Sequence, residues 1–313
     1  MVSFDAVRVA AVQATPVILD AEATITRAIE LIDDAADHGA RLVVFPECFV
    51  SLYPTGSWAS QAATWSQACD ELWSRMWESS VDVGGPLVDR LVSACVARDV
   101  HVAIGINERE DERPGSLYNA LLVLGPRGVL HRHRKLMPTM HERVFHGVGA
   151  GDDLGVVDVP GVGRVGGLIC WENRMPLARW QVYQGGPQIW LAPTADDSDS
   201  WVSSMRHIAI EAGAFVVSVP QFIPASAYPD DFPFSLPEGT DVLGRGGVCV
   251  VSPRGDVIAG PCYDTEATLY VDCDLREALH AKRSFDVVGH YSRADVLTSD
   301  RADAHEQVDP PAQ

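Results

Sequence analysis

The sequence predicts an α/β protein built on two β-sheets with helices on their outer faces, in one compact domain over residues 1–297. Three observations predict it. The chain opens with a β-α-β unit, and short continuous apolar runs, the mark of strands covered on both faces, recur through its middle. Two hairpins also turn at the same Pro-Arg-Gly bend, which hints at two related halves.

Residues 7–12, VRVAAV, read as a buried strand. A helix starts near Asp20, because Ile25, Ala28, Ile29, Ile32, Ala35 and Ala36 recur at helical spacing, and Gly39 supplies a left-handed stop. RLVVF at 41–45 is the second strand, and an apolar helix around 87–97 leads into HVAIGI at 101–106. LYNALLVLGPRGVLHRHRK is a hairpin turning at 125–128, and GGVCVVSPRGDVIAG is another turning at 253–256. Between them RVGGLIC (164–170), QIWLAP (188–193) and AFVVSVP (214–220) are strands that alternate with helices around 176–184 and 200–213.

Three segments stand apart. Residues 55–85 carry Trp58, Trp65, Trp73 and Trp77, the last three close to one helical face and read as a packing stripe. Residues 222–243, rich in Pro and Asp with no period, form a long loop of the sort that borders a site or a subunit contact. Residues 298–313 have almost nothing to bury and are expected to be a disordered tail.

Composition narrows the function. With 24 Lys and Arg against 43 Asp and Glu, the net charge of −19 repels phosphate backbones and anionic lipid, so neither nucleic acid nor a membrane surface is an expected partner. The N-terminus has no basic leader or apolar h-region, and no run approaches the length of a membrane span, so a cytoplasmic location is expected. The 7 cysteines are scattered without close pairs, and the 10 histidines form no zinc-type cluster; His131 and His133 in HRHRK read as one polar strand face. No metal is expected.

Three residues depart from this background. Cys170, in GLICWENRMP, ends a predicted strand just before a helix that has Pro176 in its first turn. It is either a small buried hydrophobe or a nucleophile whose thiol pKa the helix dipole lowers. Glu47, at the mouth of another strand, is a loop charge unless it shares a cleft with that thiol, where desolvation would raise its pKa toward that of a general base. Lys135 is one of only two lysines, with Lys282, in a chain that otherwise takes arginine for its positive charge. A compact ammonium there suits an anion that develops during a reaction, although compositional chance also leaves an occasional lysine.

Taken together, Glu47 in FPECF, Lys135 in HRKLMPT and Cys170 in ICWENRMP resemble the Glu-Lys-Cys triad of the carbon-nitrogen hydrolase (nitrilase) superfamily, in the family's order. The likeness continues through Tyr53-Pro54, PTMHER with Glu142, APTAD at 192–196, HIAIEAGAFVVS from His207 and DVVGHYSR from Asp286, so it covers nearly all of the chain but the tail. Trp171-Glu172-Asn173 after the cysteine is similar to the true nitrilases rather than to the amidase and carbamoylase branches. The resemblance implies the α-β-β-α sandwich of that superfamily, homodimers or larger homo-oligomers that include spirals, and a small-molecule nitrile substrate. It also implies hydrolysis to the carboxylic acid and ammonia through a covalent thioimidate and thioester, without a cofactor. In that chemistry Cys170 attacks, Glu47 moves protons, Lys135 stabilises developing charge, and Glu142 orients Lys135 or the substrate. Tyr53 and Trp171, with Trp58 or Trp201, become candidate pocket walls or else core. Val50-Ser51-Leu52 stands where many nitrilases have small glycines, a departure that bears on the shape of the acyl pocket. An amidase or carbamoylase with the same triad and a noncatalytic assembly protein on the same fold are the rival readings.

Overall fold

The computed structural model describes residues 4–112, 114–293 and 295–297; the expected tail, 298–313, lies outside the described residues. Strand β1 (Ala6–Gln13) is followed by helix α1 (Ala21–Asp37) and β2 (Leu42–Val44), which runs parallel to β1. Helices α2 (Gly56–Ala59), α3 (Gln67–Glu78) and α4 (Pro86–Arg98) lead to β3 (His101–Arg109), parallel to β2. The hairpin β4 (Leu117–Gly125) and β5 (Gly128–Arg134) completes the first run. The second run pairs β6 (Val156–Val159) with β7 (Gly163–Gly167), then adds α5 (Pro176–Tyr183), β8 (Ile189–Thr194), α6 (Asp199–Ala212) and β9 (Phe215–Pro220). Strands β10 (Phe222–Pro224), β11 (Val242–Val251), β12 (Val257–Tyr263) and β13 (Ala267–Asp274) and helix α7 (Leu275–Ser284) close the chain.

The first sheet has the order β13-β1-β2-β3-β4-β5, and the second has β10-β11-β9-β8-β7-β6 with β12 paired to β11. The hint of two halves holds. In each, three parallel strands (β1-β2-β3 and β7-β8-β9) are extended by an antiparallel hairpin (β4-β5 and β11-β12), and an antiparallel strand (β13 or β6) lies beside the first.

Strand alternation makes the layers. Val7, Val9 and Ala11 point between the sheets, where they meet Ile189, Leu191, Phe215 and Val217, while Ala10 and Val12 turn outward onto Ile25, Ala28 and Ile32 of α1. On the other side Trp190, Ala192 and Val216 pack against α5 and α6. The result is the α-β-β-α sandwich. Asp20 caps α1 by accepting from Ala23 N–H at 2.9 Å, and Gly39 follows with φ of +81°.

Two readings are corrected here. Trp65 is not on a helical stripe: it precedes α3, which starts at Gln67, and is fully exposed, because Ser66 caps that helix and fixes its start after the tryptophan. The 222–243 stretch is not all loop, since its ends form β10 and the start of β11. Its middle folds over Trp58, whose indole meets Phe232 at 5.1 Å and donates to the Tyr228 hydroxyl at 2.8 Å. Among the described residues no helix is long and apolar enough to cross a membrane.

Candidate active site

Glu47, Lys135, Glu142 and Cys170 come from four separate segments, and the fold brings them together. Glu47 follows β2. The neighbouring strand passes so close that a Cβ on Gly105 would lie 2.3 Å from the Pro46 carbonyl oxygen and 2.7 Å from Glu47 Cα, so this position takes only glycine. Lys135 follows β5, with its N–H donating to the Asn119 carbonyl at 2.8 Å. Glu142 lies in a 3₁₀ turn, Met140–Val144, and is fully buried.

Lys135 Nζ donates to Glu47 Oε1 at 2.7 Å and to Glu142 Oε1 and Oε2 at 2.7 and 2.9 Å. All three groups have no exposed side-chain surface. Asn119 Nδ2 reaches Glu47 Oε1 at 2.7 Å and Glu142 Oε2 at 3.4 Å, and the Tyr53 hydroxyl donates to Glu142 Oε1 at 2.7 Å. Glu47 Oε2, in contrast, is buried with no hydrogen-bond partner among the described residues. Asn119 Oδ1 is likewise buried without a partner among the described residues, so the cluster holds two free acceptors.

Two carboxylates thus share one ammonium, and their surroundings separate them. Burial raises the Glu47 pKa, Lys135 opposes this and the Glu142 charge adds to it, leaving it at about 7. Glu142 also pays for burial, but Lys135, His146 and the Tyr53 hydroxyl outweigh that cost and hold its pKa below the usual range. Glu142 stays an anion at neutral pH while Glu47 can gain and lose a proton there. Lys135 is disfavoured by burial, yet the acidic groups around it keep its pKa well above normal.

Cys170 sits three residues beyond β7 in the left-handed region, φ of +51°, at the start of a 3₁₀ turn, Cys170–Arg174. A side chain held there is strained and must be supported from outside. Asn173 Nδ2 donates to the Leu168 and Cys170 carbonyls at 2.7 and 2.9 Å, and its Oδ1 accepts from the Trp190 indole at 2.7 Å. The thiol accepts from the Thr194 hydroxyl at 3.2 Å. The expected lowering of its pKa is overturned: burial, with the Glu47 carboxylate, pushes it up to about 12. The site therefore holds a neutral thiol that must lose its proton as it attacks.

Tyr53 is placed at the site; Trp171 is not buried in it. The residue is 42% exposed, and its indole donates to Asp196 Oδ2 at 2.7 Å. Trp201 and Trp58 are core, Trp201 donating to Ser218 Oγ at 2.8 Å. A narrow cleft lies alongside, lined by Leu52, Tyr53, Ala195, Gln221, Ile223 and Tyr228 among others. Tyr53 reaches Glu142, Ala195 follows the threonine that touches the thiol, and Gln221 Nε2 donates to the Glu47 carbonyl at 2.6 Å. In the departure at 50–52, Leu52 lines this cleft, whereas Val50 packs into the outer core and Ser51 bonds to Ser79 Oγ at 2.9 Å. Asn119 and Thr194 escaped the sequence reading, because their side chains act on Glu47 and Cys170, 72 and 24 positions away; His133 was read only as part of a polar strand face and Glu172 only as part of the stretch after the cysteine, and the two meet across 39 positions.

A buried thiol, two carboxylates and an ammonium are gathered at the strand ends of an α-β-β-α sandwich, a set of groups that can combine nucleophilic attack with proton transfer. The carbon-nitrogen hydrolase family profile matches residues 8–283, and the chain belongs to that family. It is 42% identical over 301 residues to the bifunctional nitrilase/nitrile hydratase NIT4A of Lupinus angustifolius, covering 93% of this chain and 85% of the relative. It is also 42% identical over 276 residues to a nitrilase of Bradyrhizobium diazoefficiens (87% and 84% covered) and 41% identical over 299 residues to nitrilase 1 of Arabidopsis thaliana (93% and 85%). Among solved structures, Nit3 of Saccharomyces cerevisiae superposes with a TM-score of 0.71 at 20% identity, covering 93% of this chain and 98% of that one. The carbon-nitrogen hydrolase of Helicobacter pylori gives 0.72 at 17%, covering 94% and 97%. These structures share the fold.

Proposed function

We propose that this protein is a nitrilase, converting an organic nitrile and two waters to a carboxylic acid and ammonia. The observation that carries the reading is the division of labour around Lys135, with Glu142 held as an anion and Glu47 free to exchange a proton beside a neutral thiol. The similarity to named nitrilases selects the nitrile among the substrates such a site can attack.

Cys170 Sγ bonds to the nitrile carbon while its proton passes to Glu47 and on to the nitrogen, giving a thioimidate. Lys135 stabilises the negative charge that builds on nitrogen. Glu47 then takes a proton from water as it adds and returns it to the nitrogen, and the proton of the new hydroxyl follows by the same carboxylate as the tetrahedral species collapses to a thioester and ammonia leaves. The thioester that remains is hydrolysed by a second water, restoring the thiol. If the tetrahedral species expels sulfur instead of nitrogen, the product is the amide. Tyr53 and Glu142 orient Lys135, and the slim cleft, lined by polar as well as apolar groups, supplies the route for the organic group. Trp171 contributes to substrate binding at the outer rim. A homo-oligomer belongs to the same reading, supported by exposed Leu177 on α5 and Ile210 on α6.

The test is ammonia release from aliphatic, aromatic and arylaceto nitriles beside their amides, with acid and amide products separated and Cys170→Ala as control. Nitrile-dependent ammonia that disappears in the control is expected. Ammonia from amides alone would move the protein to the amidase branch, and none from either would favour an assembly protein.

A further inference from the structure

Glu172 is buried, two residues after the nucleophile, and its carboxylate joins two parts of the site that the strands do not connect. Oε2 accepts from the N–H of Ile169, the residue before Cys170, at 2.8 Å. Oε1 accepts from the N–H of Leu136, the residue after Lys135, at 2.6 Å. Both oxygens also face His133 Nε2, at 3.0 and 3.2 Å. The other ring nitrogen, Nδ1, lies 2.8 Å from Asp153 Oδ1, and Asp153 Oδ2 accepts from the Arg134 N–H at 2.8 Å.

An imidazole with a carboxylate on each nitrogen satisfies both only as imidazolium, with two N–H donors. Burial works against that charge, but Asp153 and Glu172 outweigh it and raise the His133 pKa to about 9; His131 is the other titratable neighbour, and its own pKa is lowered by burial and by His133. The polar strand face read from HRHRK is therefore a buried ionic chain. It grips the backbone on both sides of Lys135, at Arg134 and Leu136, and the backbone just before the strained cysteine.

We propose that Glu172, held by His133 and Asp153, is a positioning residue that fixes the Cys170 turn against the Lys135 segment, so that the spacing of nucleophile and ammonium depends on this chain. The proposal rests on the assignment of Cys170 and Lys135 as catalytic groups. Neutral His133 has one N–H for two carboxylates, so the clamp loosens as pH rises through about 9.

Glu172→Gln keeps the volume but turns an NH₂ toward either the Ile169 or the Leu136 N–H, two donors face to face. Its kcat should fall at least tenfold on the nitrile the wild-type enzyme turns over fastest, with KM changed less than threefold and the folded state retained by near-UV circular dichroism. His133→Gln donates to a carboxylate without titrating, so the fall in wild-type kcat above about pH 9 should vanish in it. Wild-type kcat in Glu172→Gln, or the same alkaline fall in His133→Gln, would overturn the proposal. Cys170 alkylation by iodoacetamide, followed by peptide mass spectrometry, separates this from the nitrilase reading because it needs no nitrile turnover. A slowed rate in Glu172→Gln supports the clamp even if the substrate is an amide, and an unchanged rate counts against it whatever the substrate is.

Discussion

The segments leaving β1 and β7 occupy matching places in the two halves of the sandwich, and they end in opposite states. Gln13, the last residue of β1, spends every polar atom on backbone: Nε2 donates to the Cys262 and Thr265 carbonyls at 3.1 and 2.7 Å, and Oε1 accepts from the Gly247 and Val248 N–H groups at 2.7 and 2.8 Å. Cys170, beyond β7, has a single hydroxyl on its sulfur, and the nearby Glu47 Oε2 is buried without a partner among the described residues. A saturated strand end seals the sandwich; an unsaturated one leaves reactive valence. The same topology therefore makes one end structural and the other chemical, by the choice of a few side chains.

The sharpest break of that contrast is Cys170→Ala. It removes the nucleophile and leaves the supporting hydrogen bonds of Asn173 in place, so turnover should fall by at least about 10⁴-fold with the fold unchanged. Substantial residual nitrile hydrolysis would place the nucleophile elsewhere. Lys135→Arg comes next. A planar guanidinium cannot sit between Glu47 and Glu142 at the present distances, and kcat should drop by about 10²–10³.

A smaller effect comes from pH. Glu47 works as a base only when ionised, and its raised pKa means that this form is lost as pH falls through about 7. Turnover at about pH 6 should thus be roughly tenfold below its plateau, whereas Glu142, with its pKa lowered, contributes no limb there. A flat profile from about pH 5 to 8 would transfer the proton-moving role from Glu47 to another group.

Much of this was legible in the sequence because the signals are local. Continuous apolar runs marked the central strands, helical spacing marked α1, and the shared Pro-Arg-Gly bends marked the hairpins that give each half its form. Both lysines proved to stand where a compact ammonium fits: Lys135 between two carboxylates, and Lys282 donating to the Ala212 carbonyl at the end of α6, at 2.9 Å. What escaped depends on distant partners. The edge strand β13 pairs with β1 across most of the chain, His133 gains its charge from Asp153 and Glu172, and the thiol pKa follows burial that no dipeptide reveals. Trp171 was singled out beside the cysteine, yet its side chain turns outward while Glu172 and Asn173 turn in, because the left-handed cysteine redirects the chain.

Gln13→Met tests the structural side of the comparison and should have the smallest effect on turnover. Methionine matches the length of glutamine but cannot serve the four backbone groups that Gln13 now satisfies. Gly246 is shaped to this side chain: its φ is +78°, and an added Cβ would lie 2.2 Å from Gln13 Nε2. Losing these bonds should destabilise the fold by about 3 kcal/mol, read as a lower urea midpoint, while kcat per folded molecule stays within about threefold of wild type. A large loss of kcat with unchanged stability would mean that the β1 end takes part in the chemistry, and the division between sealing and reacting ends would not hold.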